Sequence, residues 1–145
     1  MKDMHELYNG TLYSSVDAPH VRGVYAMYRG DELLYIGYAG REDHKPGNKS
    51  YGIFDRMDSY YWSGSLGSDF LGYLAMRLLK EGVLSVQLDG TEASIFKRLS
   101  DATKQYARDH IRFRYVQEDD KRTVRHMEKT ARAGLTGPRP AFNPI

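Results

Sequence analysis

None of the 145 residues is a cysteine, which removes disulfides, thiolate nucleophiles and every cysteine-ligated zinc or iron–sulfur centre from consideration. A reducing compartment, the cytoplasm, is the expected setting. Long apolar runs are also missing: no stretch approaches the length that crosses a bilayer, and the first ten residues are charged where a secretion signal is apolar. No membrane partner is expected. An excess of one charge is lacking too, since 21 Lys and Arg stand against 19 Asp and Glu for a formal net charge of +2, too little by itself to argue for a polyanionic partner. The five histidines are scattered, with neither an HExxH run nor a pair at ligand spacing, and there is no glycine-rich phosphate loop of the nucleotide-hydrolase kind.

What remains is a globular composition, 41% hydrophobic with both charge signs spread along the chain. The length suits one domain over residues 1–145, with 1–20 an N-terminal extension that either wraps the domain or lies loose. Two runs rich in β-branched and aromatic residues, 24–28 and 33–36, flank Arg29, Gly30, Asp31 and Glu32, a hairpin signal. A two-residue turn at Gly30 and Asp31 pairs Ala26 with Tyr35 and sets Tyr25 and Tyr35 on opposite faces; a three-residue turn from Arg29 pairs the two tyrosines directly. Function favours the second. Both hairpin faces are apolar, so helices are expected on both sides of the sheet.

Residues 41–51 read as a loop, with Pro46, Gly47, mixed charge and no periodicity. A short helix is predicted from near Gly52 to before Ser63, placing Arg56 and Tyr60 on one face. A second helix runs from an N-cap at Ser68 to a stop at Gly82, and a short strand is expected at 84–88. Thr91 caps a third helix with Ile95, Leu99, Ala102 and Tyr106 on its apolar face, ending near His110. Alternation over 111–115 marks a strand, and Asp119 or Asp120 caps a last helix through Ala133, followed by an extended tail through Phe142, Asn143 and Pro144. The fold class is α+β, a small three-stranded antiparallel sheet flanked by helices.

Glu128 interrupts the buried stripe of that last helix, since Val124, Glu128, Ala131 and Leu135 follow helical core spacing. A buried carboxylate is paired, protonated or metal-bound, because leaving it bare costs roughly several kcal/mol. An ion pair to an arginine is the simpler solution. Beside it Arg122, Arg125, Lys129 and Arg132 form a basic face, Arg112 and Arg114 add charge from the third strand, and from Arg108 onward nine basic residues face five acidic ones. That pattern suits either a solvated helix face or a surface for phosphates.

Gly23-Val24-Tyr25, followed ten residues later by Tyr35-Ile36-Gly37, resembles the paired signature of the GIY-YIG nuclease family. Three further matches follow in order: Arg56 with Tyr60 four residues on, the helical Glu128, and Asn143 near the C-terminus. The similarity spans residues 23–145. It implies a metal-dependent endonuclease hydrolysing phosphodiester bonds in DNA, with one divalent ion, magnesium or alternatively manganese, on Glu128. Tyr25, Tyr35, Arg56 and Tyr60 are the implied catalytic residues. Asn143 and Tyr38 are substrate-positioning, Tyr38 standing where the repair branch of the family has a lysine. Tyr25 is the candidate to activate the attacking water, which requires cations around its phenol, whose ordinary pKa is about 10. RNA is the other nucleic acid left open, and specificity requires loops, a homodimer or a partner protein. The alternative is a catalytically inactive nucleic-acid-binding module on the same fold.

Overall fold

The structure, a computed structural model, describes residues 3–40 and 51–143. The expected loop at 41–51 therefore lies, apart from Tyr51, outside the described residues, as does Pro144. Strands β1 (Gly23–Arg29) and β2 (Glu32–Ala39) are joined through Gly30 and Asp31, the shorter of the two turns, with Gly30 in the left-handed region at φ 59°. That turn alone would separate Tyr25 from Tyr35. The register slips between Met27 and Tyr28, however, so that Tyr28 pairs with Leu33 while Met27 pairs with Tyr35. The extra residue, Leu34, forms a β-bulge. Leu33 enters one core and Leu34 the other, and the bulge returns Tyr35 to the face of Tyr25. The expected direct pairing of the two tyrosines is replaced by a shared face, with Gly37 opposite Tyr25.

Strand β3 (Ile111–Gln117) pairs antiparallel with the other edge of β1, completing a three-stranded sheet in the order β2-β1-β3. On its first face lie α2 (Ile53–Asp58), a π-helical turn (Ser59–Ser63) that continues it, α3 (Asp69–Lys80) and α4 (Glu92–His110). They bury Ile53, Met57, Phe70, Leu71, Leu74 and Leu78 against Met27, Leu34 and Phe113. The second face is covered by α1 (His5–Asn9) and α5 (Lys121–Arg132), whose Leu7, Val124, Met127 and Ala131 pack on Val24, Ala26 and Ile36. The fold class is as expected, α+β with helices on both sides. The opening stretch wraps the domain where it is described: Met4 and Leu7 are buried, and Tyr13 bridges to Phe113.

Three local expectations change. No strand forms at 84–88; Leu88 is exposed, and Arg98 holds this stretch by donating to the Gln87 and Asp89 carbonyls. Ile95, Leu99, Ala102 and Tyr106 are only half-buried, and the fully buried line on α4 is Ser100, Thr103 and Ala107. These small side chains let α4 come close to its neighbours. Leu135 is 76% exposed because α5 ends at Arg132 and the chain reverses at Gly134, φ 79°. Thr91 and Asp120 do cap their helices, accepting from the Ser94 and Thr123 amides. Among the described residues no helix is long and apolar enough to cross a membrane.

Candidate active site

Two glycines of the hairpin are required by close approach. A Cβ on Gly37 would run into the Tyr25 hydroxyl and ring, and one on Gly23 would meet the Val116 carbonyl across the β1–β3 pair. The Tyr25 phenol thus lies flat over β2, fully buried. The π-helical turn supplies its partner. Widening the helix after α2 turns two consecutive side chains inward, Tyr60 and Tyr61. Tyr61 donates to the Ile111 carbonyl at 3.0 Å, and the Tyr60 hydroxyl meets that of Tyr25 at 2.5 Å.

Tyr35 completes a trio, its ring centroid 6.5 Å from that of Tyr25 and 6.3 Å from that of Tyr60. Tyr25 and Tyr60 are joined hydroxyl to hydroxyl, and the half-buried Tyr35 ring packs beside both, so the phenols form a cluster that runs from buried Tyr25 to half-buried Tyr35. Phe70, from the first turn of α3, packs on both Tyr35 and Tyr60 at 5.7 and 5.0 Å. Burial raises the pKa of all three phenols, most strongly at Tyr25, where neighbouring Tyr60 and Tyr35 raise it further and Arg56 only partly opposes them. The trio is therefore protonated at neutral pH. The cationic influence that a phenolate base at Tyr25 needs is present in Arg56 but is outweighed by burial and the neighbouring phenols.

Arg56, on α2 one turn before Tyr60, is half-buried beside the trio. Burial pushes its pKa down, but the oxygens of Tyr25, Tyr60, Asp55 and Tyr35 outweigh this and hold it above the usual value. Among the described residues no carboxylate forms an ion pair with it. A guanidinium lodged among hydroxyls, with Asp55 near but not in an ion pair with it, is suited to an anion from outside.

Glu128 sits on α5 with Val124, Met127 and Ala131 and is 7% exposed. Burial raises its carboxyl pKa, opposed by Arg132, Lys129 and Arg125. Arg132 approaches it at 3.4 Å, the ion pair that helical spacing allows. Glu128 and Arg132 both act electrostatically on Tyr35, the half-buried member of the trio. Among the described residues no three His, Asp or Glu side chains converge to hold a metal. A single carboxylate does not suit zinc, but it fits magnesium, which commonly takes one or two protein carboxylates and fills its shell with water and substrate phosphate.

The other expected residues divide. Asn143 both accepts from the Ile36 amide at 2.6 Å and donates to the Ile36 carbonyl at 2.9 Å, pinning the tail along the edge of β2 as a further strand residue would. Tyr38 pairs with Val24 and packs with the second core, on the sheet face away from the phenol trio. Arg122, Arg125 and Lys129 are exposed together on α5. Arg112 and Arg114 are not on that face: Arg114 lies 4.6 Å over the Tyr28 ring and donates to the Gly10 carbonyl beside α1, and Arg112 donates to the Arg108 and Ile111 carbonyls at the end of α4. Both are half-buried in backbone contacts. Sequence reasoning missed Phe70, which reads as an ordinary core residue, and Asp69 beside it, whose charge also reaches Tyr35. It also missed Arg22, buried and donating to the Gly40 and Asp119 carbonyls, for which no periodic signal exists. Comparison with protein-family models, with curated proteins and with solved structures gives no match to this chain.

Proposed function

We propose that this protein is a magnesium-dependent endonuclease of the GIY-YIG type that hydrolyses phosphodiester bonds in DNA, acting in the cytoplasm. The observation that carries this reading is Arg56: a half-buried cation with no carboxylate partner among the described residues, held beside three neutral phenols and near a carboxylate. The hairpin motif residues, Arg56 and Tyr60 converge in space although they come from three different elements. Such convergence supports a reacting site more than it supports packing, for which the guanidinium is unnecessary.

In this scheme Arg56 contacts the nonbridging oxygens of the scissile phosphate and offsets the charge that develops there. Tyr35, the half-buried member of the phenol cluster, hydrogen-bonds the attacking water or a phosphoryl oxygen. Tyr60 and Tyr25 stand behind it and fix the direction of that bond. Glu128, now paired with Arg132, would be the residue to hold the magnesium. The ion supplies Lewis acidity toward the phosphate and its departing 3′ oxygen. Asn143 keeps the tail and β2 in register beneath the site. The exposed Arg122, Arg125 and Lys129 contact flanking phosphates.

The Glu128–Arg132 ion pair favours one alternative, a binding module that holds nucleic acid without cutting it. Plasmid nicking separates the two. Supercoiled plasmid is incubated with the purified protein in magnesium, in manganese, in chelator, and with Glu128→Ala. Metal-dependent nicking that is absent from the variant supports the nuclease; salt-sensitive binding with no nicking by the unaltered chain in either metal overturns it in favour of the binding module.

A further inference from the structure

The sole tryptophan, Trp62, lies on the π-helical turn two residues after Tyr60 and is 50% exposed, although Tyr60 and Tyr61 before it are buried. Its ring is ordered from behind. The Arg108 guanidinium of α4 lies 4.5 Å from the ring centroid, and the same group donates to the Tyr61 carbonyl and to Gln105 Oε1, both at 2.6 Å. Lys104 donates to the Trp62 carbonyl at 3.1 Å. The backbone of the turn and one ring face are thus fixed by α4, while half of the indole surface stays in water.

We infer that Trp62, backed by Arg108, is a stacking platform for an unpaired base of the nucleic-acid substrate, so that the preferred substrate has a single-stranded or branched segment beside the scissile phosphate. This rests on the nuclease reading for its substrate class. Three observations lead to it. An immobilised, exposed indole offers apolar area at low entropic cost, which suits any base, because every base has a π-face. The charge around it is favourable for a phosphate backbone: Arg108 makes no ion pair with a carboxylate among the described residues, and Lys104 shares Asp101 with Lys97. The position is apt as well, since two residues of chain keep the Cα atoms of Trp62 and Tyr60 within about 7 Å, roughly two nucleotide steps. Bases in a duplex are stacked on one another and cannot use such a platform.

With one tryptophan in the chain, its fluorescence, excited where tyrosine does not absorb, reports on this platform directly. The full chain is titrated in chelator with a labelled thymidine oligomer of about 15 nucleotides, within the usual range for single-strand sites, and with a duplex of equal length. Fluorescence anisotropy of the label measures binding independently. The expected result is quenching by the single strand, with Trp62→Ala weakening single-strand binding by roughly ten- to a hundredfold and duplex binding little. Trp62→Phe should retain part of the preference, and a thermal melt checks that both variants fold. Single-strand binding without quenching, or equal losses for strand and duplex, overturns the platform and leaves the nuclease reading intact. No binding of either form at low salt overturns the platform together with the nucleic-acid reading on which it rests.

Discussion

The two faces of the sheet bury polar chemistry in opposite ways. On the first, three phenols cluster, Tyr25 and Tyr60 bonded hydroxyl to hydroxyl, neutral at pH 7, and the adjacent cation is the half-buried Arg56. On the second, the core is almost wholly aliphatic and a lone carboxylate, Glu128, sits at its rim against one arginine. The difference teaches a division of labour: the tyrosine face can orient groups with little reorganisation but cannot readily ionise, whereas the α5 face presents a carboxylate. Edge strand β2 links them, carrying Tyr35 on one side and packing against α5 on the other.

Removing the cation beside the tyrosine face is the severest break. Arg56→Ala should lower cleavage by about two to three orders of magnitude, the loss seen when one strong transition-state donor is deleted, with the fold preserved because the side chain is only half-buried. Single-turnover nicking with circular dichroism of the same sample checks both halves, and wild-type rates would remove Arg56 from the mechanism. Gly37→Ala attacks the same face sterically. Its methyl group meets the Tyr25 phenol, so an overpacking cost of about 1–3 kcal/mol is expected in urea denaturation, with a fall in activity as Tyr25 is displaced. The same substitution at exposed Gly30 would not discriminate, since there the difficulty is the positive φ.

Smaller effects test whether the phenols act as one unit. Tyr25→Phe and Tyr60→Phe should each cost about 1 kcal/mol, and the double variant should cost less than the sum, because the second substitution removes a partner already lost. Strict additivity in denaturant melts would mean that the 2.5 Å Tyr25–Tyr60 contact is not an energetic bond.

Local determinants were legible in the sequence, and non-local ones were not. Thr91 and Asp120 mark helix starts through bonds to amides three residues on, and the Glu128–Arg132 pair follows from helical spacing. The three-stranded sheet and the convergence of the hairpin tyrosines on one face were also foreseen. The bulge at Leu34 was not, because it depends on Leu33 and Leu34 each finding a separate core. Likewise the burial of Ser100, Thr103 and Ala107 instead of the more apolar line on α4 reflects how closely its neighbours approach, which no periodicity encodes. Arg112 and Arg114 read as surface charge, yet their partners are carbonyls and a ring brought near only by α1 and the end of α4. At the candidate site the face shared by Arg56 and Tyr60 is legible from helical spacing, whereas the bond between the Tyr25 and Tyr60 hydroxyls depends on the π-helical turn.

The mildest perturbation separates the two faces by pH. Burial raises the pKa of Glu128 in the folded chain above its ordinary value of about 4.3. The folded state therefore binds this proton more tightly than the unfolded state does, so the associated stability is fully present below the ordinary glutamate range and is lost as pH rises through the higher folded value. Glu128→Gln should flatten that decline on the acidic side and leave stability at pH 7 equal or slightly higher, while abolishing metal-dependent nicking. The phenols obey the same sign in another window: their raised pKa values make stability fall only above about pH 10, a loss that Tyr25→Phe should reduce and Glu128→Gln should not. Urea midpoints measured from acid to alkaline pH for both variants decide the matter. A Glu128→Gln profile that still declines like the wild type on the acidic side would show that Arg132 holds the carboxylate ionised, and that the two faces do not differ in the way they bury their polar groups.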